Sequence, residues 1–269
     1  MTTMARATVV ALAAVVAAVF ALQAIWPEAA LFRSALAEAT LLRLGSATKL
    51  LLLGLAWYQG TRCARALEAL NPARLAWRLF SLGLLGFFLG QAVLGLYQIV
   101  LGTSPYPSPG DVFFVAAYPL LVLAAFAFVR AYREAGYPVG TRREHALLGG
   151  VLCGLFVMVG VRLLGPVVAQ PGPALERFLT AAYPVLDFVL LVPILILVRI
   201  TAPFRGGQVF RAWSLVLFGI VALCVGDILY AYFTVLGRPG LGPLVDATYI
   251  LAYLGVVLGT VEHRRLLAA

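Results

Sequence analysis

Four aspartates and one lysine carry most of the chemistry open to this chain. Asp111, Asp187, Asp227 and Asp246 lie inside long apolar runs or at their mouths, whereas all seven glutamates fall outside those runs or at their ends. Lys49, the single lysine beside nineteen arginines, also sits inside an apolar run. An ionisable side chain within a bilayer costs at least about 2.5 to 3.5 kcal/mol, so it is kept where it faces a partner or a wet cavity. Gln91, Tyr118, Tyr183 and Tyr253 share the same runs. With a rise of about 1.5 Å per residue, Asp187, Asp227 and Gln91 lie about 14 to 15 Å below one end of their helices. Tyr118 and Tyr253 lie about 10 Å below Asp111 and Asp246, placing all of them in one half of the membrane. Asp111 and Asp246 each follow a Pro/Gly loop at a helix entry, where a carboxylate accepts orphan N–H bonds, and they are expected as N-caps. As mouth residues they also suit selection of cations or amines.

The elements that hold these groups are read from composition. Of the 269 residues, 63% are hydrophobic and 12% charged, about half the charged content of soluble domains. Runs long enough to span fall near 7–26, 41–60, 77–101, 111–129, 146–165, 178–198, 212–236 and 246–262, which predicts an all-α polytopic membrane protein of eight transmembrane helices. Arg6 followed by an apolar run, with Ala35-Leu36-Ala37 beyond it, resembles a secretory signal. The run is too long and the cleavage-like site too distant, so it is read as a retained anchor. The formal charge of +9 is spread over short loops rather than one solvated face, which argues against a nucleic-acid partner. Fourteen arginines fall on the side of the loops after helices 2, 4 and 6 and of both termini, and five on the other. The positive-inside rule then places both termini in the cytoplasm. Arginine in place of lysine fits a GC-rich genome, and hence a bacterial inner membrane. Trp26, Trp57, Trp77 and Trp213 fall near helix ends and are expected in the headgroup zone. Cys63, Cys153 and Cys224 show no paired spacing and read as buried small hydrophobes.

A repeat organises the whole. Trp77, Gly83 and Gly90 recur as Trp213, Gly219 and Gly226, 136 residues on; Gly102, Asp111, Ala117 and Tyr118 recur as Gly237, Asp246, Ala252 and Tyr253, 135 residues on. Each half holds four spans, so residues 1–135 and 136–269 of this single membrane domain are predicted to be parallel four-helix repeats about an axis along the membrane normal. Lys49 on helix 2 and Asp187 on helix 6 then stand on corresponding helices and are predicted to pair. That pair either holds the halves in register or, with Asp227, lines an outward-opening pocket. Asp187 follows Tyr183 by one helical turn, and Ala-Ala-Tyr-Pro occurs at both 116–119 and 181–184. Gly83, Gly86 and Gly90 predict a close helix contact. No HExxH, GxSxG or phosphate loop occurs, and His145 and His263 lie at helix ends, so no cofactor or metal is assigned.

The stretch Pro107–Leu121, PSPGDVFFVAAYPLL, resembles the Pro-Ser-x-x-Asp-x-x-Tyr-x-x-x-Tyr-Pro-Leu-Leu pattern of the polytopic N-terminal membrane domains of bacterial diguanylate cyclases, phosphodiesterases and related signalling proteins. Pro107, Ser108, Asp111, Tyr118, Pro119, Leu120 and Leu121 match; Phe114 stands for the first Tyr, and no GGDEF, EAL or kinase module follows within these residues. The second copy, GDILYAYFTVLG and then DATYILAYLGVVLG, is similar. A weaker resemblance is to lysoplasmalogenase-like eight-helix hydrolases, through Thr48-Lys49, Gly226-Asp227 and Ala247-Thr248-Tyr249. There Gln91 stands where that family has a second carboxylate, which implies an acid–amide recognition pair with Asp227 rather than an acid/base pair. These readings imply a membrane-embedded sensor or ligand-binding module with an outward-facing polar cavity. It would take a small-molecule or lipid ligand and signal to a cytoplasmic protein. An intramembrane hydrolase of lipid-like substrates and a small-solute transporter are the alternatives.

Overall fold

The computed structural model describes residues 3–29, 31–169 and 171–268. Eight helices in it are long and apolar enough to cross a membrane: α1 Thr3–Ile25, α2 Ala39–Ala66, α3 Pro72–Leu101, α4 Gly110–Glu134, α5 Arg142–Ala169, α6 Ala174–Phe204, α7 Gln208–Val235 and α8 Gly242–Leu266. No strand occurs among the described residues, so the chain is an all-α, multi-pass membrane protein. Local signals set several boundaries. Asn71 caps α3 by accepting the Ala73 N–H at 2.9 Å, and Thr141 with Glu144 forms a capping box on α5. Gly102 and Gly237 end α3 and α7 with φ of 65° and 61°, a backbone region that residues with a Cβ rarely enter.

Six helices close a ring in the order α2, α3, α4, α6, α7, α8 and back to α2, while α1 packs along the outside of α8. The described part of α8 is the most enclosed span, 67% buried, and α5 the least, 17% buried. In lipid, apolar side chains gain little by leaving the bilayer for a helix interface, so close packing and polar bonds between helices must hold such a ring. Glycines supply the close packing. A Cβ on Gly83 would meet Leu121 and the Ala117 carbonyl; a Cβ on Gly219 would meet the Ala252 carbonyl and Val256. Gly86 and Gly90 likewise bring α3 against Phe113, Ala117 and Gly110 of α4.

The face carrying the chain termini is sealed by aromatic rings. Trp77 and Trp213 alternate with Phe128 and His263 in a closed square whose neighbouring centroids lie 4.7 to 5.1 Å apart. Edge-to-face pairs of this kind contribute about 0.5 to 1.5 kcal/mol each beyond simple burial. Two of the four tryptophans therefore depart from the expected headgroup position: Trp77 and Trp213 are buried, and Trp213 donates its indole N–H to Tyr132 at 2.9 Å. Trp26 and Trp57 are exposed. Cys63 and Cys224 are buried as expected, but Cys153 lies on the exposed side of α5, because that helix has few neighbours to bury it.

Candidate functional site

At the face opposite the termini, the ring opens into a cavity of about 320 Å³. Lys49 comes from α2, Gln91 from α3, Asp111 and Tyr118 from α4, Tyr183 from α6, Asp227 from α7, and Asp246 and Tyr253 from α8. The segment between α3 and α4 covers part of the opening with Ser104, Pro105 and Tyr106. Gln98 donates to Ser104 at 2.7 Å, and the Tyr106 hydroxyl meets Thr180 at 3.1 Å. Burial raises the Tyr106 phenol above its ordinary pKa, so it stays a neutral hydroxyl.

The polar groups pair across helices, and the pairs differ from the expected ones. Lys49 does not bond Asp187; its Nζ donates to Asp246 Oδ1 at 2.7 Å. The cause is the packing order, since α2 lies against α8 and not against α6. Asp187 instead accepts from Tyr118 at 2.6 Å, and Tyr183 donates to Asp111. Thus α4 and α6 exchange two hydrogen bonds, each supplying one tyrosine and one aspartate. The spacings fit this exchange, as Asp111 and Tyr118 stand two turns apart on α4, and Tyr183 and Asp187 one turn apart on α6.

Asp187 is fully buried and lies behind the cavity wall rather than on it. It comes within hydrogen-bonding reach of Asp227. Its Oδ2 has no donor among the described residues, and one proton held between the two carboxyls would satisfy it. The expected Gln91–Asp227 pair is replaced. Gln91 reaches Ser46 at 3.4 Å, and Asp227 accepts from Tyr249 at 2.5 Å. The carboxyl neighbour of Asp227 is therefore Asp187, brought by α6 rather than by α3.

The N-cap expectation fails at Asp246, because α8 begins at Gly242 and leaves Asp246 one turn inside the helix. Asp111 lies in the first turn of α4, but it folds back to take the N–H and hydroxyl of Ser108 at 2.6 and 3.2 Å, not the N–H groups of its own helix.

Sequence reasoning missed Tyr249, Gln98, Tyr230 and the Phe87–Phe114 wall. Tyr249 had a signal: Asp246-x-x-Tyr249-x-x-x-Tyr253 carries the complete Asp/Tyr/Tyr spacing of which the first copy, with Phe114, shows only part. Among the described residues, no group of three or more His, Cys, Asp and Glu side chains is placed to hold a metal ion. Compared with known proteins, the chain matches no family model, no curated protein and no solved structure.

Proposed function

We propose that this chain is a membrane-embedded ligand-binding module, a sensor whose cavity faces outward from a bacterial inner membrane and whose state is read by a cytoplasmic partner. One observation carries the reading. The cavity wall is made of bonds between helices from the two parts of the chain: Lys49 of α2 to Asp246 of α8, and the exchanged Tyr–Asp bonds of α4 and α6. A ligand that competes for those carboxylates changes what holds one helix to another, which is the differential contact a conformational response requires. The aromatic square beneath offers no polar path onward, which favours a sensor over a transporter. Both termini lie in the cytoplasm on the arginine distribution. The two parts are parallel four-helix repeats on the matching relations of Gly83 to Ala117 and Leu121 and of Gly219 to Ala252 and Val256, offset by 136 and 135 residues.

Hydrogen exchange on the purified protein tests the sensor reading. A cavity ligand found by thermal-shift screening should slow exchange at the cavity wall and also at the terminal ends of α4 and α8. Protection confined to the wall would leave a binding protein without an output. Sidedness is checked by thiol labelling of intact cells, with a cysteine at Ser104 reacting and one at Gly207 not.

A second reading is favoured by the Asp187–Asp227 neighbours, since two carboxyls sharing a buried site are the groups an acid/base hydrolase needs. Turnover of lysophospholipid or vinyl-ether lipid by the wild type, abolished by Asp227→Asn with the fold retained, would replace the sensor with an intramembrane hydrolase.

A further inference from the structure

The cavity is rich in acceptors and poor in free donors. Its charged lining is one cation, Lys49, against three carboxylates, Asp111, Asp227 and Asp246, and the lysine is already engaged with Asp246. The hydroxyls of Tyr118, Tyr183 and Tyr249 each point their hydrogen at an aspartate. Thr180 donates to the Glu176 carbonyl, so the Tyr106 hydrogen is directed to Thr180. The amide N–H groups of Gln91 and Gln98 are given to Ser46 and Ser104. What is left over accepts. Gln98, 5% exposed, lines the cavity with its Oε1 lacking any donor, and Asp187 Oδ2 is unpartnered behind Asp227.

From this imbalance we infer that the cavity's ligand presents an ammonium group carrying N–H donors, with a small apolar body against the Phe87, Phe114 and Tyr253 rings. A carboxylate or phosphate would add negative charge to a site already short of positive charge and would find few hydrogens to accept. Ring faces attract a cation and provide apolar contact. A quaternary ammonium would satisfy the charge and the rings but leave the Gln98 and Asp227 oxygens without hydrogens, so the N–H-bearing form is preferred. The same chemistry is offered by a soluble amine and by the headgroup of an aminophospholipid. This inference rests on the binding-module reading and names its ligand class.

The test uses the full chain in phosphatidylcholine nanodiscs and measures thermal stabilisation by three matched probes: 2-phenylethylamine, its trimethylammonium analogue and 3-phenylpropionate. The primary amine should stabilise saturably, the quaternary analogue more weakly, and the carboxylate not at all. Asp227→Asn should weaken the amine about ten- to hundredfold, the loss expected for one charge-assisted hydrogen bond. Gln98→Leu guards against a folding failure of that variant. It removes an unpartnered acceptor, so it should leave the ligand-free protein as stable as wild type while weakening the amine several-fold. Nanodiscs containing phosphatidylethanolamine separate the sources: intrinsic stabilisation there, with loss of the response to the soluble amine, identifies the lipid headgroup.

Saturable binding of the carboxylate in preference to the amine overturns the ligand class while leaving a binding module. Failure of the amine to bind at millimolar concentration, in either lipid, also overturns the ligand class. Lipid turnover that depends on Asp227 removes the binding-module reading itself.

Discussion

Asp111 and Asp246 stand in the same relation to their helices' tyrosines, seven residues before Tyr118 and Tyr253, yet their surroundings satisfy them differently. Asp246 is met by a full positive charge from α2, with Lys49 nearly buried and the Asp246 side chain 30% exposed. Asp111 is met by neutral donors, the Tyr183 hydroxyl and the Ser108 N–H and hydroxyl. The loops explain the difference. Nine residues separate Gly102 from Asp111 and Gly237 from Asp246, but the first segment stays irregular until Gly110, whereas the second has already turned into helix at Gly242. An aspartate at the end of an irregular loop finds backbone donors there; one a turn inside a helix does not and must take its partner from another helix. The same spacing therefore yields a loop clasp at one mouth and an interhelical ion pair at the other.

The sharpest way to break this contrast is to remove the partners. Lys49→Met should destabilise the protein by about 2 to 3 kcal/mol, below the usual cost of breaking a buried pair because water reaches part of Asp246. Tyr183→Phe should cost no more than about 1 kcal/mol, since Asp111 keeps both Ser108 donors. Reversible unfolding in mixed detergent micelles measures both. Adding Asp246→Leu to Lys49→Met should restore much of the loss, whereas adding Asp187→Leu should give a simple sum. Restoration by Asp187→Leu and not by Asp246→Leu would mean that Lys49 pairs as the repeat alone suggests.

That mistaken pairing shows what the sequence could and could not convey. Eight spans were legible because bilayer thickness imposes a length and a polarity on each, and the ionisable residues were legible because their cost in lipid makes them conspicuous. Lys49 was nevertheless assigned to Asp187, because a shared axis says which helices correspond and not which of them touch. Contact order around the ring, α2 on α8 and α4 on α6, is set by side-chain packing along whole helices. Asp187 beside Asp227 was hidden for the same reason. The Gly/Ala contacts were legible, since small residues at helical spacing admit few other uses in a membrane.

Those contacts give a finer test of how alike the two halves are. A Cβ on Gly219 would lie 2.6 Å from the Ala252 carbonyl oxygen, a backbone atom held inside α8. On Gly83 the 2.6 Å contact is with the Leu121 side chain, and the nearest backbone atom stands at 3.3 Å. Alanine gains about 1 kcal/mol over glycine in a helix, against about 1 to 3 kcal/mol for overpacking. Gly219→Ala should therefore cost about 1 to 2 kcal/mol net, and Gly83→Ala should be near neutral as Leu121 turns aside. Equal losses in the same unfolding assay would show that α4 is as rigidly held as α8.

The smallest expected effect lies at the terminal face, where the halves differ by one residue. Phe128 and His263 occupy opposite corners of the aromatic square, each flanked by Trp77 and Trp213 at closely matching centroid distances. His263 is 7% exposed, and its Nε2 has no partner among the described residues. A buried polar atom without a hydrogen bond costs about 1 to 3 kcal/mol, and replacing it with an apolar group of similar shape removes that cost. His263→Phe supplies the ring already accepted at the Phe128 corner, and the cleft of about 660 Å³ that His263 lines leaves room for the added bulk. The variant should be as stable as wild type or more stable by up to about 1 kcal/mol, with the tryptophan emission unchanged in position. A loss of stability, with emission shifted to the red as water enters, would mean that the imidazole holds the square together through a bond the phenyl ring cannot make. The terminal faces of the two halves would then differ in kind, as their mouths do.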